Sequence, residues 1–115
     1  MFWGKLLTIN LYECDEKLIK NEKEIKRFVK DLCDLIKMKR YGPTLVKRFG
    51  EGAIEGYSAM QFIETSSITI HFDEQENRAF IDIFSCKDFD SNKTGEFSKI
   101  FFKSKKVKIK TIIRK

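Results

Sequence analysis

Apolar and polar residues change period several times along this chain, and each change marks an element. Residues 6–13 alternate: Leu7, Ile9 and Leu11 lie on one side, Leu6, Thr8, Asn10 and Tyr12 on the other. That is a strand with both faces partly covered. A polar run from Asp15 turns the chain. Asn21 then has the character of a helix N-cap, with Glu24 three residues on as its reciprocal partner. Ile25, Phe28, Val29, Leu32, Leu35 and Ile36 follow at helical spacing with charges between them. The spacing predicts an amphipathic helix over 22–37 whose apolar stripe lies on a sheet. Cys33 falls on or beside that stripe and reads as core filler.

Tyr41-Gly42-Pro43 ends the helical region. A short strand is expected over 44–49, then a flexible connection through Gly50, Gly52 and Gly56. Further strands are expected over 57–63, 67–72 and 79–86. The polar loop Asp73-Glu74-Gln75-Glu76-Asn77 makes a hairpin of the last two. Residues 87–95 read as loop, 96–103 as a short helix presenting Phe97, Ile100 and Phe101, and 107–113 as a last strand. Strands joined by short connections, with one long and one short helix, predict a single α+β domain over 1–115. It is a two-layer sandwich, a mostly antiparallel sheet with helices packed on one face.

Composition changes this picture little. A hydrophobic content of 42% against 35% charged residues favours a folded domain over disorder. Eleven phenylalanines are many for 115 residues; they imply a bulky core, or apolar surface kept for a partner subunit. The net charge is +6. No nucleic-acid motif accompanies it, so it reads as a solvated lysine-rich surface and no nucleic-acid partner is expected. Cys14, Cys33 and Cys86 are far apart with no CxxC pair, and the first residues lack the apolar region of a secretory signal. Reduced thiols and a cytoplasmic protein are expected. No apolar run reaches the roughly 18 residues needed to span a membrane. One histidine and scattered cysteines make no metal ligand set, so no metal is expected.

The candidate chemistry lies at strand ends. Thr65-Ser66-Ser67 opens the strand that carries His71, the only histidine, and Cys86 closes the next strand. Taken singly, each has a plainer role: a turn, a surface imidazole, a small core hydrophobe. Three fragments together, Tyr12-Glu13-Cys14-Asp15, Thr65-Ser66-Ser67-Ile68-Thr69-Ile70-His71 and Ile81-Asp82-Ile83-Phe84-Ser85-Cys86, resemble the small prokaryotic S-adenosylmethionine decarboxylases, pyruvoyl enzymes that cleave themselves. The order and separation of the fragments carry the resemblance, which covers nearly the whole chain.

The resemblance implies a role for each residue. Ser66 is the precursor of the pyruvoyl group, and the chain is cut between Thr65 and Ser66. His71 and Ser58 assist that processing, and Cys86 is the catalytic proton donor. Glu13 has a supporting role in the early strand-end motif. The pyruvoyl carbonyl forms a Schiff base with an amino-acid-type substrate and acts as the electron sink for decarboxylation. The implied product feeds spermidine and other polyamine synthesis, and the implied assembly is a homodimer with sites near the subunit interface. One geometric condition follows from the sequence alone. Residues five apart in an unbroken strand point to opposite faces, so Ser66 and His71 meet only if Ser66 lies in a turn or bulge.

The chain also departs from the family pattern. Thr65 stands where the family has Glu, with Glu64 displaced by one. After His71 the bacterial members commonly continue Thr-Trp-Pro-Glu, an adenine-stacking ring and a ribose-holding acid. Here the chain reads Phe72-Asp73-Glu74-Gln75. Phe49 or Phe72 is then the candidate stacking ring and Glu74 the candidate ribose ligand. Altered pockets of this kind leave two alternatives open. One is a pyruvoyl-dependent arginine or ornithine decarboxylase, suited by the acids Asp73 and Glu74. The other is an unprocessed, non-catalytic paralogue, motivated by Thr65.

Overall fold

A computed structural model describes residues 2–115. Six strands form one sheet in the order β2-β3-β4-β5-β1-β6, every neighbouring pair antiparallel. The strands are β1 (Gly4–Tyr12), β2 (Arg40–Phe49), β3 (Gly56–Ile63), β4 (Ser66–Asp73), β5 (Arg78–Ser85) and β6 (Lys106–Arg114). Three helices, α1 (Glu16–Ile19), α2 (Glu22–Leu35) and α3 (Ser91–Phe101), cover one face. This is the expected two-layer α+β sandwich. None of the described helices is long and apolar enough to cross a membrane.

Strand alternation sorts the two faces. Leu7, Ile9 and Leu11 of β1, Ile68, Ile70 and Phe72 of β4, and Ala79, Ile81 and Ile83 of β5 are all buried under the helices. Their strand neighbours point to the other face, which carries no second layer. Helix α2 contributes Ile25, Phe28, Val29, Leu32 and Cys33 to the core. Phe28 meets the rings of Phe97, Phe101 and Phe102 at 4.7–5.8 Å between centroids, and Phe102 reaches Phe72 at 5.4 Å. One set of phenylalanines fills the core, while Phe62 and Phe49 stay exposed beside the bare face.

Several boundaries differ from the sequence reading. Helix α1 falls where only a turn was expected; Asp15 caps it by accepting from the Lys17 and Leu18 amides at 2.8 and 3.2 Å. Four residues are too few to show a helical period. Asn21 caps α2 through the Glu24 amide, as expected, but the Glu24 carboxylate takes Arg27 at 2.7 Å. Strand β2 begins before the Tyr41-Gly42-Pro43 break. The register slips between Tyr41 and Leu45, with Gly42 at φ 78°, so the glycine and proline form a bulge within an edge strand. Buried Gln61 pins that bulge, donating to the Gly42 carbonyl at 3.1 Å and accepting from the Thr44 hydroxyl. Helix α3 starts at Ser91, five residues before the expected start, because Asp90 caps it through the Lys93 amide at 2.9 Å. Gly95, read as loop, sits inside this helix where a Cβ would press on Ile109 of β6.

Candidate active site

The hairpin between β3 and β4 has only two turn residues, Glu64 and Thr65, since Ile63 pairs directly with Ser66. Thr65 adopts φ 53°, the left-handed region. For a β-branched residue this is a strained conformation, of the sort that costs on the order of 1–3 kcal/mol. The strain sits immediately before the Thr65–Ser66 peptide. The Ser66 side chain points into the helix layer and is buried. Its Oγ accepts from the Cys86 backbone amide at 3.3 Å and donates to Cys86 Sγ at 3.9 Å. The Thr65 hydroxyl donates to the Glu64 carbonyl at 2.7 Å and lies 2.6 Å from Cys86 Sγ. Thr65, Ser66 and Cys86 are therefore one cluster. Cys86 reaches it because β5 ends at Ser85, whose hydroxyl donates to the Lys87 carbonyl at 2.6 Å and turns the chain.

His71 and Ser58 form a second cluster. They are directly paired across β3 and β4, and Ser58 Oγ is bonded to His71 Nδ1 at 2.8 Å. Both lie on the uncovered face. Ser66 is the first ladder residue of β4, with no bulge before His71. The condition for the two to meet within one chain is not fulfilled: five strand steps separate them by about 16 Å, on opposite faces.

Two cavities of about 550 Å³ each adjoin His71. One is apolar, lined by Leu45, Phe49, Ile54, Met60 and Thr69 beside Ser58. The other is lined by Ile54, Phe80, Gln75 and Arg78. Of the two candidate stacking rings, Phe49 is exposed at the first cavity, whereas the Phe72 ring is buried against Phe102. The Glu74 carboxylate is held by both guanidinium nitrogens of Arg48, at 2.6 and 2.7 Å, and Arg48 also takes Glu55 at 2.9 Å. Asp73 is bonded by Arg78 at 2.6 Å, and the same guanidinium holds Glu76 at 2.9 Å. Neither acid is left uncompensated. Glu13 is exposed at φ 52° where β1 ends, next to Cys14, whose amide donates to the Asn77 carbonyl at 2.8 Å. It is at the opposite end of β1 from Lys5, the partner of Ser85, and so remote from Cys86.

Sequence reasoning missed Arg48 and Arg78, the residues that neutralise the pocket acids. Their partners are 26 and 5 positions away, and only the hairpin hint at residues 73–77 pointed to the nearer pair. Burial pushes the Cys14 and Cys33 thiols up, to about 12 and about 11. For Cys33 this agrees with its reading as core filler.

Comparison with known proteins shows the family and the fold. The family described as S-adenosylmethionine decarboxylase matches residues 5–115. The chain is 34% identical over 112 residues to the S-adenosylmethionine decarboxylase proenzyme of Clostridium botulinum (strain Langeland), covering 96% of this chain and 93% of that protein. It is 34% identical over 83 residues to the protein of the same name from Saccharolobus solfataricus, covering 72% of this chain and 63% of that one. The crystal structure of the adenosylmethionine decarboxylase from Aquifex aeolicus VF5 superposes with a TM-score of 0.82 at 15% identity, over 98% of this chain and 91% of that chain, which shows a common fold. By the family match and the length of the relatives it shares, the chain belongs to the S-adenosylmethionine decarboxylase family.

Proposed function

We propose that this chain is a pyruvoyl-dependent S-adenosylmethionine decarboxylase in polyamine synthesis. It matures by its own cleavage between Thr65 and Ser66, and two copies share each site. The observation that carries the reading is the division of the machinery: scissile peptide and thiol at one end of β4, imidazole and second serine at the other. In maturation the Ser66 hydroxyl attacks the Thr65 carbonyl carbon, the C–N bond breaks, and an ester replaces the amide. A base removes the Ser66 α-proton and the Cβ–O bond breaks, releasing a Thr65 carboxylate. The remaining dehydroalanine takes up one water and loses ammonia. Residues 1–65 and 66–115 result. His71, oriented by Ser58, is the base or polariser for these steps.

The pyruvoyl carbonyl at position 66 supplies the electron sink for loss of carbon dioxide. The buried, amide-anchored Ser66 side chain in a strained turn suits such a group. Cys86, in contact with positions 65 and 66, holds the proton delivered to the carbon that loses the carboxylate.

A second copy supplies what one chain lacks. The uncovered face exposes Trp3, Tyr41, Leu45, Met60, Phe62 and Ile112, an unusual apolar load for a free surface. Stacking two such faces with their β4 strands antiparallel lays the Thr65–Ser66 hairpin end of one copy over the His71 end of the other, so that the partner's imidazole approaches the backbone of the scissile turn while the Ser66 hydroxyl stays on the helix side, and a two-fold axis makes both sites alike. Reduced thiols and a cytoplasmic setting complete the reading. Arginine or ornithine is the weaker substrate choice, because Asp73 and Glu74, the acids that would suit a cationic side chain, are already paired with Arg78 and Arg48. The strained Thr65 favours a processed chain over an inert paralogue.

The test is intact mass under denaturing, reducing conditions, followed by carbon dioxide release from carboxyl-labelled S-adenosylmethionine, arginine and ornithine. Two fragments split at Thr65–Ser66 and release from S-adenosylmethionine are expected; a single stable species sinks the reading. Co-expressing Ser66→Ala with His71→Ala tests the sharing. Random pairing puts one intact site in half of the dimers, so about a quarter of wild-type sites are expected to return. No recovery confines the site to one chain.

A further inference from the structure

Beside the scissile peptide lies a cavity of about 450 Å³, whose lining includes Glu64, Thr65 and Cys86 together with Lys37, Lys39, Arg40 and Lys87. Four cations face one acid. None of the four is in an ion pair among the described residues. Backbone contacts hold them together instead. Lys87 Nζ donates to the Lys37 carbonyl at 3.2 Å, across fifty positions of sequence, and Arg40 is paired in register with Ile63, two residues before Thr65. Gathering like charges around one cavity is unfavourable unless an anion comes to it.

We propose that this cavity is a dock for the carboxylate that cleavage creates on Thr65. The inference rests on the self-processing reading above. In the uncut chain position 65 presents a neutral peptide carbonyl, so the cations lack their counter-charge. Attack by the Ser66 oxygen followed by breakage of the Ser66 Cβ–O bond leaves both electrons of that bond on the Thr65 carboxylate, and the new anion is already at the cavity wall. Scission also frees Thr65 from its left-handed conformation, so Glu64 and Thr65 can turn toward the cations as the strain is released. Two effects follow. Charge-assisted hydrogen bonds hold the carboxylate away from position 66 and oppose religation. The Thr65 hydroxyl leaves Cys86 Sγ, so the thiol that is occupied in the precursor becomes free to deliver its proton. The precursor is then silent for a second reason besides the missing carbonyl.

The test uses purified, processed protein and carboxypeptidase Y, following the mass of the 1–65 fragment. A docked terminus resists trimming. Loss of Thr65 and Glu64 is expected to be at least about tenfold slower in the wild type than in the Lys37→Ala, Arg40→Ala, Lys87→Ala triple variant. Should the triple variant fold poorly, the wild type alone answers: molar salt is expected to speed trimming, measured against a free peptide ending in Glu-Thr to correct for the protease. Equal trimming of variant and wild type, or no salt effect beyond that of the peptide, overturns the dock and leaves self-processing standing. A chain that never cleaves overturns both.

Discussion

The two ends of β4 are built from opposite materials. At the Ser66 end the side chain faces the helix layer, is buried, and is fixed by a backbone amide, beside a strained turn and a ring of lysine and arginine. At the His71 end the side chain lies on the uncovered face, bonded only to its cross-strand neighbour Ser58 and flanked by one apolar cavity and one lined by charged groups. One end is preorganised for an event at the backbone. The other is a pair of groups waiting on a surface for something to act on. A single strand cannot bring the two together, because its period of two puts an odd offset on opposite faces. Within one chain the two groups therefore stay apart.

That contrast can be broken at either end. The largest effect is expected from Ser66→Ala, which removes both the nucleophile and the precursor of the carbonyl: intact mass shows one uncut chain and carbon dioxide release vanishes. Cys86→Ala comes next. It spares the Ser66 hydroxyl and is expected to lower turnover of processed protein by roughly 10²–10⁴-fold, the usual contribution of a positioned proton donor. Met60→Lys with Phe62→Lys leaves both ends chemically intact and puts charge between them on the bare face. A shift from dimer to monomer in light scattering, with slowed cleavage, supports shared sites; normal cleavage by a monomer rejects them. The smallest effect sharpens the contrast between thiols. Burial raises Cys14 and Cys33 far above neutrality, so their thiolate fraction stays low at pH 8 and grows only as pH approaches 11–12. Iodoacetamide at pH 8 is expected to add one label to the native chain, on Cys86, and three after denaturation, read by mass.

Much of the fold was legible because its strands and its long helix each bury one regular face. Leu7, Ile9 and Leu11, or Ile25, Phe28, Val29 and Leu32, announce themselves by period alone. What stayed hidden depends on local hydrogen bonds without a period: the single turn of α1, the bulge at Gly42-Pro43 held by Gln61, and the early start of α3 under its Asp90 cap. The site followed the same rule. Its residue types and spacing carried the family resemblance, and the need for an irregularity before His71 was visible as a condition. That the condition fails could be learned only from the register of Ile63 with Ser66. The pairing of Glu74 with Arg48 was equally out of reach, since Glu74 lies in the turn after β4 and Arg48 in β2, 26 positions away.

The strand order has one more consequence. A cut after Thr65 assigns β1, β2 and β3 to one fragment and β4, β5 and β6 to the other. In the sheet these alternate in blocks: β2 and β3, then β4 and β5, then β1, then β6. Strand β1 is threaded between two strands of the other piece, and three seams, β3 with β4, β5 with β1 and β1 with β6, join the fragments. Cut there, the protein would be two polypeptides woven into one sheet. Neither can slide away without unzipping a ladder on both sides of β1, so the break costs the molecule a covalent link but no cohesion. Once pulled apart in denaturant, the pieces must find each other again, and their recovery will depend on concentration where that of the uncut chain does not.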